Sequence, residues 1–138
     1  VWLGANRLRI TDLRDAANQP MQTPDGRFAL AFNGAVYNHE ELRRRWLPHL
    51  SFATASDTET VLHLLARHGF AALDWLDGMF ALAFCDTSTG TALLARDRWG
   101  MKPLHWLENE SFLVASSEIG GILASGLVEK RFDETQVA

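Results

Sequence analysis

The run Met79-Phe80-Ala81-Leu82-Ala83-Phe84-Cys85 is apolar at every position. A strand with one face in water would alternate apolar and polar residues, so an unbroken run reads as a central strand covered on both faces. The chain must then place a layer on each side of it. At 138 residues and 47% hydrophobic, it is long enough to bury on the order of two thirds of its unfolded surface, which allows one core and not two. By alternation Cys85 points with Met79, Ala81 and Ala83, and no neighbouring base or cation in sequence lowers its pKa. It is expected to be an inert core thiol.

Around this strand the pattern is mixed and without repeats. Strand-like runs cover residues 1–10, 27–32, 79–86, 91–95, 104–107 and 111–115, separated by turn signals such as Pro24-Asp25-Gly26, Thr87-Ser88-Thr89-Gly90 and Asn109. Short connections imply antiparallel pairing. One helix is expected from an Asn38 N-cap, with Glu41 three residues on, to about Trp46 before Pro48. A second starts at Ser56, with Glu59 completing a capping box, and carries Val61, Leu62, Leu64 and Leu65 to a stop near Gly69. A short helical piece to Leu76 and another over residues 118–125 follow. Strands grouped apart from helices give an α+β class with helices covering sheets, not a parallel βαβ fold.

Net charge is −4, and the basic residues are scattered apart from Arg43-Arg44-Arg45. That triplet reads as the solvated face of a helix, and no electrostatic footprint for nucleic acid stands out. No apolar stretch approaches the roughly 20 residues that cross a bilayer, and the start of the chain lacks a secretory layout. A soluble, cytoplasmic protein is expected. The single cysteine fits a reducing compartment and excludes an internal disulfide framework. His63 and His68 are five apart on the second helix and fall on different faces, so no metal site is expected.

Asn33-Gly34 stands between the apolar runs 28–32 and Val36-Tyr37, a local signal for a tight turn joining two strands. Its company is more specific. Arg7-Leu8-Arg9-Ile10-Thr11-Asp12, Phe32-Asn33-Gly34-Ala35-Val36-Tyr37-Asn38-His39, Ser56-Asp57-Thr58-Glu59, Leu76-Asp77-Gly78-Met79-Phe80-Ala81, Arg96-Asp97-Arg98-Trp99-Gly100-Met101-Lys102-Pro103-Leu104 and Val114-Ala115-Ser116-Ser117-Glu118-Ile119 follow in order. Together they resemble the class II glutamine amidotransferases, most of all the glutaminase domain of glutamine-hydrolysing asparagine synthetases. The resemblance runs from about Leu3 to Gly126 and implies the four-layer α/β/β/α sandwich of N-terminal-nucleophile hydrolases.

Glutamine hydrolysis is acyl transfer, which needs a nucleophile, donors for an oxyanion, and partners for the α-carboxylate and α-ammonium groups. The resemblance assigns Asn33 (side-chain N–H) and Gly34 (backbone N–H) to the oxyanion hole. It assigns glutamine binding to Arg7, Thr11, Asn33, Gly34, Ala35 and Asp57, with Arg7 on the α-carboxylate and Asp57 on the α-ammonium. The plainer readings are an Arg7–Asp12 strand pair and a first-turn helix acid at Asp57. Ala35 stands where many members carry glutamate, so weaker glutamine affinity is expected. Ala55, Trp99, His105 and Gly120-Gly121 also depart from the pattern, the glycine pair weakening its helix by about 1 kcal/mol per residue.

Family members begin with a cysteine nucleophile, and Val1 is not one. A fragment of a longer amidotransferase is expected: residues 1–126 as a partial glutaminase domain, inactive by itself, and 127–138 as the start of a linker to a synthetase domain. No cofactor is expected on this chain, with ATP and Mg confined to that synthetase domain, because no glycine-rich phosphate loop is present. The expected partners are L-glutamine and the synthetase domain of the same parent chain, with no nucleic acid and no membrane. A homodimer through an exposed sheet edge is a further possibility. The alternative is a non-catalytic scaffold domain of a β-lactam synthetase-like or other divergent ATP-dependent ligase.

Overall fold

The computed structural model describes residues 2–6 and 12–130 of the chain. By internal contacts the chain divides into two compact units, Val1–Lys102 and Pro103–Ala138.

The first unit is built on a four-stranded antiparallel sheet in the order β1-β2-β3-β4. Its strands are β1 (Met21–Gln22), β2 (Phe28–Val36), β3 (Gly78–Asp86) and β4 (Thr91–Arg96). The apolar run occupies β3, which is central as expected, with β2 on one side and β4 on the other. Even-numbered residues of β2 and β3 face the helices: Leu30, Phe32, Val36, Phe80, Leu82 and Phe84 join one buried cluster. Two diagonal cross-strand ring pairs tighten this face, Phe28–Phe84 at 5.5 Å and Phe32–Phe80 at 6.3 Å between centroids. The opposite face is lined by small residues. Ala29, Ala81 and Cys85 are buried there, and burial pushes the Cys85 thiol above its ordinary pKa.

Helix α1 (His39–Trp46) and helix α2 (Asp57–His68) cover the even face. Val61, Leu62, Leu64 and Leu65 of α2 and Leu42 of α1 enter the same cluster. Trp46 stacks on Trp75 at 4.0 Å, with the His68 ring edge-on to both. Gly69 ends α2 with φ +61°, and a 3₁₀ segment (Gly69–Trp75) leads to β3. In the second unit, β5 (His105–Glu108) pairs antiparallel with β6 (Leu113–Ser116), and α3 (Ile119–Ala124) follows. Asn109 organises the turn by accepting from the Ser111 and Phe112 N–H groups. A Cβ at Gly121 would crowd the Ser116 side chain, so this glycine, which costs helix propensity, allows α3 to sit close to β6.

Several expectations are corrected. Asn33-Gly34 is not a hairpin turn: β2 runs straight through it, with Asn33 opposite Ala81 and Gly34 opposite Phe80. Gly34 has φ +154°, and a Cβ there would overlap the Met79 carbonyl oxygen, so the glycine serves a close approach of β3 and not a reversal of the chain. Asn38 makes no cap hydrogen bond; its side-chain amide instead donates to the Trp75 carbonyl and accepts from the Asp77 N–H. Residues 2–6 form no strand, and the remainder of the expected first strand lies outside the described residues. Arg43 is not solvated with its neighbours: it is half-buried, stacks over Phe52 at 3.8 Å, and donates to three acceptors described below. The two-sheet sandwich remains an expectation, since each unit by itself supplies one antiparallel sheet with helical cover, compatible with α+β.

Candidate functional site

The backbone of β2 decides what the Asn33-Gly34 segment can offer. Phe80 donates to the Asp97 carboxylate and accepts from the Asp97 N–H, so even residues of β3 turn their peptide groups toward β4. Odd residues of β3 therefore bond to odd residues of β2, and even residues of β2 turn their peptide groups outward, toward β1. β1 is two residues long and reaches only Leu30 and Ala29. Beyond it the N–H groups of Phe32, Gly34 and Val36 point in succession away from β3, past the end of β1. Two are closed by side chains: Phe32 N–H donates to Gln19 Oε1 at 2.6 Å, and Val36 N–H to Asp57 Oδ2 at 2.9 Å. Gly34 N–H, between them, has no acceptor among the described residues. Asn33 and Ala35 lie on the odd face of the sheet, Asn33 exposed, with only a methyl group at position 35.

Asp57 reaches Val36 because α2 starts against β2. Ser56 caps the helix, its Oγ accepting from the Thr58 N–H at 3.2 Å. The other half of the expected capping box is absent. Glu59 turns instead to the preceding loop and accepts from the Ala53 N–H, the Thr54 N–H and the Thr54 hydroxyl at 2.6–2.8 Å. Arg43 holds the same loop from α1, donating to the carbonyls of Thr54 and Ser56 and to Thr60 Oγ1. Asp57 is buried, with Oδ1 accepting from the Thr58 N–H at 2.9 Å. A carboxylate offers about four lone-pair sites, so these two amides leave it able to accept further donors.

A third segment is drawn to this point by Asp12. Its Oδ2 accepts from the Ala55 N–H at 3.1 Å, and the Arg14 guanidinium beside it holds its carboxyl well below the usual carboxylate range. Asp12, Ala55-Ser56-Asp57 and Asn33–Val36 are thus joined by two hydrogen bonds, although 43 and 21 residues separate the bonded pairs. Arg7 and Thr11 lie outside the described residues.

Alongside, a sequence model of the glutamine amidotransferase domain matches residues 1–138. The chain belongs to the glutamine amidotransferase domain family. It is 40% identical over 124 residues to the asparagine synthetase [glutamine-hydrolyzing] of Asparagus officinalis, covering 88% of this chain and 20% of that protein. It is 35% identical over 133 residues to asparagine synthetase [glutamine-hydrolyzing] 2 of Bacillus subtilis, covering 96% of this chain and 18% of that protein. A third relative, amidase chyE of Penicillium rubens, is 34% identical over 127 residues, 92% of this chain and 19% of its own. The chain spans about a fifth of the length of these curated relatives.

Within this amidotransferase domain several supporting residues escaped sequence reasoning. Asp97 is buried at the end of β4 and accepts from the N–H groups of Phe80, Trp99, Met101 and Lys102 at 3.0–3.2 Å. These donors depress its pKa, the Met101 amide most of all. It fixes the residue opposite Gly34. Its place inside the Arg96–Leu104 motif was the available signal, whereas Gln19, Arg43 and Glu59 carry none beyond residue type. A cavity of about 460 Å³ lies elsewhere, between the β1–β2 turn and the far end of α2, lined by Phe28, Leu47, Leu50, His63 and Arg67 among others.

Proposed function

We propose that this domain binds L-glutamine along the edge of β2 beyond β1, with the carboxamide oxygen on the Gly34 N–H and the Asn33 side chain and the α-ammonium on Asp57. Arg7 and Thr11 complete the set, Arg7 as the bidentate partner of the α-carboxylate. In the longer protein a cysteine thiolate attacks the carboxamide carbon. The carbonyl electrons move onto the oxygen held by the two donors; the thiol proton, held by that cysteine's own α-amino group, passes to the leaving nitrogen, and collapse expels ammonia and leaves a thioester. Water then attacks the thioester and releases glutamate. The ammonia would serve an ATP- and Mg-dependent synthetase domain that amidates aspartate or a related carboxylate, in the cytoplasm. The same reading carries the four-layer sandwich of N-terminal-nucleophile hydrolases, supported by the buried small-residue face of the first sheet.

The observation that carries this reading is the convergence of Asp12, Asp57 and a Gly34 N–H without an acceptor among the described residues. A second reading, a scaffold without glutaminase chemistry, is favoured by the existing amide bonds to Asp57 and the methyl group at position 35. Titration of the ¹⁵N-labelled chain with glutamine separates them. Saturable shifts at Gly34 and Val36 that disappear in Asp57→Asn and strengthen in Ala35→Glu are expected; a wild-type chain unmoved by millimolar glutamine would leave the scaffold.

A further inference from the structure

We propose that Gln19 is a positioning residue of the glutamine site, closing the Phe32 N–H so that an incoming carboxamide oxygen is directed to the Gly34 N–H. The inference rests on the glutamine reading above. Gln19 lies just before β1, beyond the last β1–β2 pair, and its side-chain oxygen accepts from the Phe32 nitrogen at 2.6 Å in place of a β1 carbonyl.

An edge that presents successive N–H groups is an unselective template: any extended chain or carbonyl can bind at any of them. On β2 these donors recur every second residue, about 7 Å apart. Asp57 closes the third of them and also places a negative charge there. Gln19 closes the first with a neutral amide oxygen, which among the described residues leaves one charge at one end and one donor in the middle. A glutamine molecule needs that asymmetry, since its ammonium and its carboxamide oxygen must go to different places. Without the Gln19 oxygen, the Phe32 N–H becomes a competing donor and the carboxamide divides between two registers. Gln19 touches Phe32 and acts on the substrate only through that closure.

The test uses the ¹⁵N-labelled chain as wild type, Gln19→Met and Gln19→Glu, the last retaining an acceptor of the same reach. Amide hydrogen exchange and glutamine titrations are read together. In the wild type, Phe32 and Val36 exchange slowly, Gly34 exchanges fast, and glutamine moves Gly34. In Gln19→Met, Phe32 exchange accelerates at least tenfold, the apparent Kd for glutamine rises threefold or more, and the perturbed amides spread to Phe32. Gln19→Glu restores slow exchange at Phe32. Should methionine disturb the packing, Gln19→Ser gives the same comparison. The proposal is overturned if Phe32 exchanges as fast in the wild type as in Gln19→Met, or if Gln19→Met takes up glutamine with wild-type affinity and footprint. A wild-type chain that takes up no glutamine overturns the glutamine reading itself, and this role of Gln19 with it.

Discussion

Gly34 and Asp97 sit on either side of Phe80 and constrain it in opposite ways. Gly34 lets β2 and β3 approach where a Cβ would collide with the Met79 carbonyl, at a φ that favours glycine. Gly34→Ala is therefore expected to cost at least about 2 kcal/mol in denaturant unfolding, a penalty that an ordinary mid-strand glycine would not show. Asp97 acts through charge. Its folded pKa lies below the unfolded value, so its contribution is complete above about pH 4 and is lost as pH falls through the lower folded value. Asp97→Asn should lower Tm at pH 7, because one carboxamide oxygen cannot serve four amide donors. It should also flatten the loss of stability below pH 4, measured by thermal melts from pH 7 to pH 2.

At the scale of elements, the loop between α1 and α2 is set by two opposed charges. Arg43 grips its carbonyls from one side and Glu59 its N–H groups from the other. Arg43→Met keeps most of the apolar stem over Phe52 but removes three donated bonds, and should cost about 2–3 kcal/mol. Arg43→Lys should recover only part of this, since an ammonium lacks the fork that spans Thr54 and Ser56; urea unfolding of both variants checks it. These contacts show where sequence reading stops. The strands at β3 and β4 and the apolar stripe of α2 were legible because periodicity and burial coincide there. Asn33-Gly34 was misread because its dipeptide favours positive φ in turns, whereas here long-range pairing with β3 overrides that local signal. Arg43 was misread because a charge triplet reveals nothing about which member turns inward. At Glu59 the capping-box pattern was present, but the Thr54 hydroxyl and two loop amides competed successfully for the carboxylate.

Across the molecule, the two units differ in how much they bury. The first holds a continuous core from Ala17 to Phe84, while Ile122 is the buried apolar residue among those described in the second. A two-stranded sheet with one short helix is marginal by itself. Native-state hydrogen exchange should therefore find the amides of β5 and β6 opening at least tenfold more readily than those of β2 and β3. Equal protection in both sheets would show that the second unit gains stability from cover beyond its own residues.

Cys85 lies between Ala29 and Ala92 in the ladder, buried and with its thiol pKa raised. For chemical biology this makes the chain a quiet background. Maleimides and electrophilic glutamine analogues should leave the folded protein almost unlabelled, so a cysteine engineered beside Asn33 would report reagent capture with little competing signal.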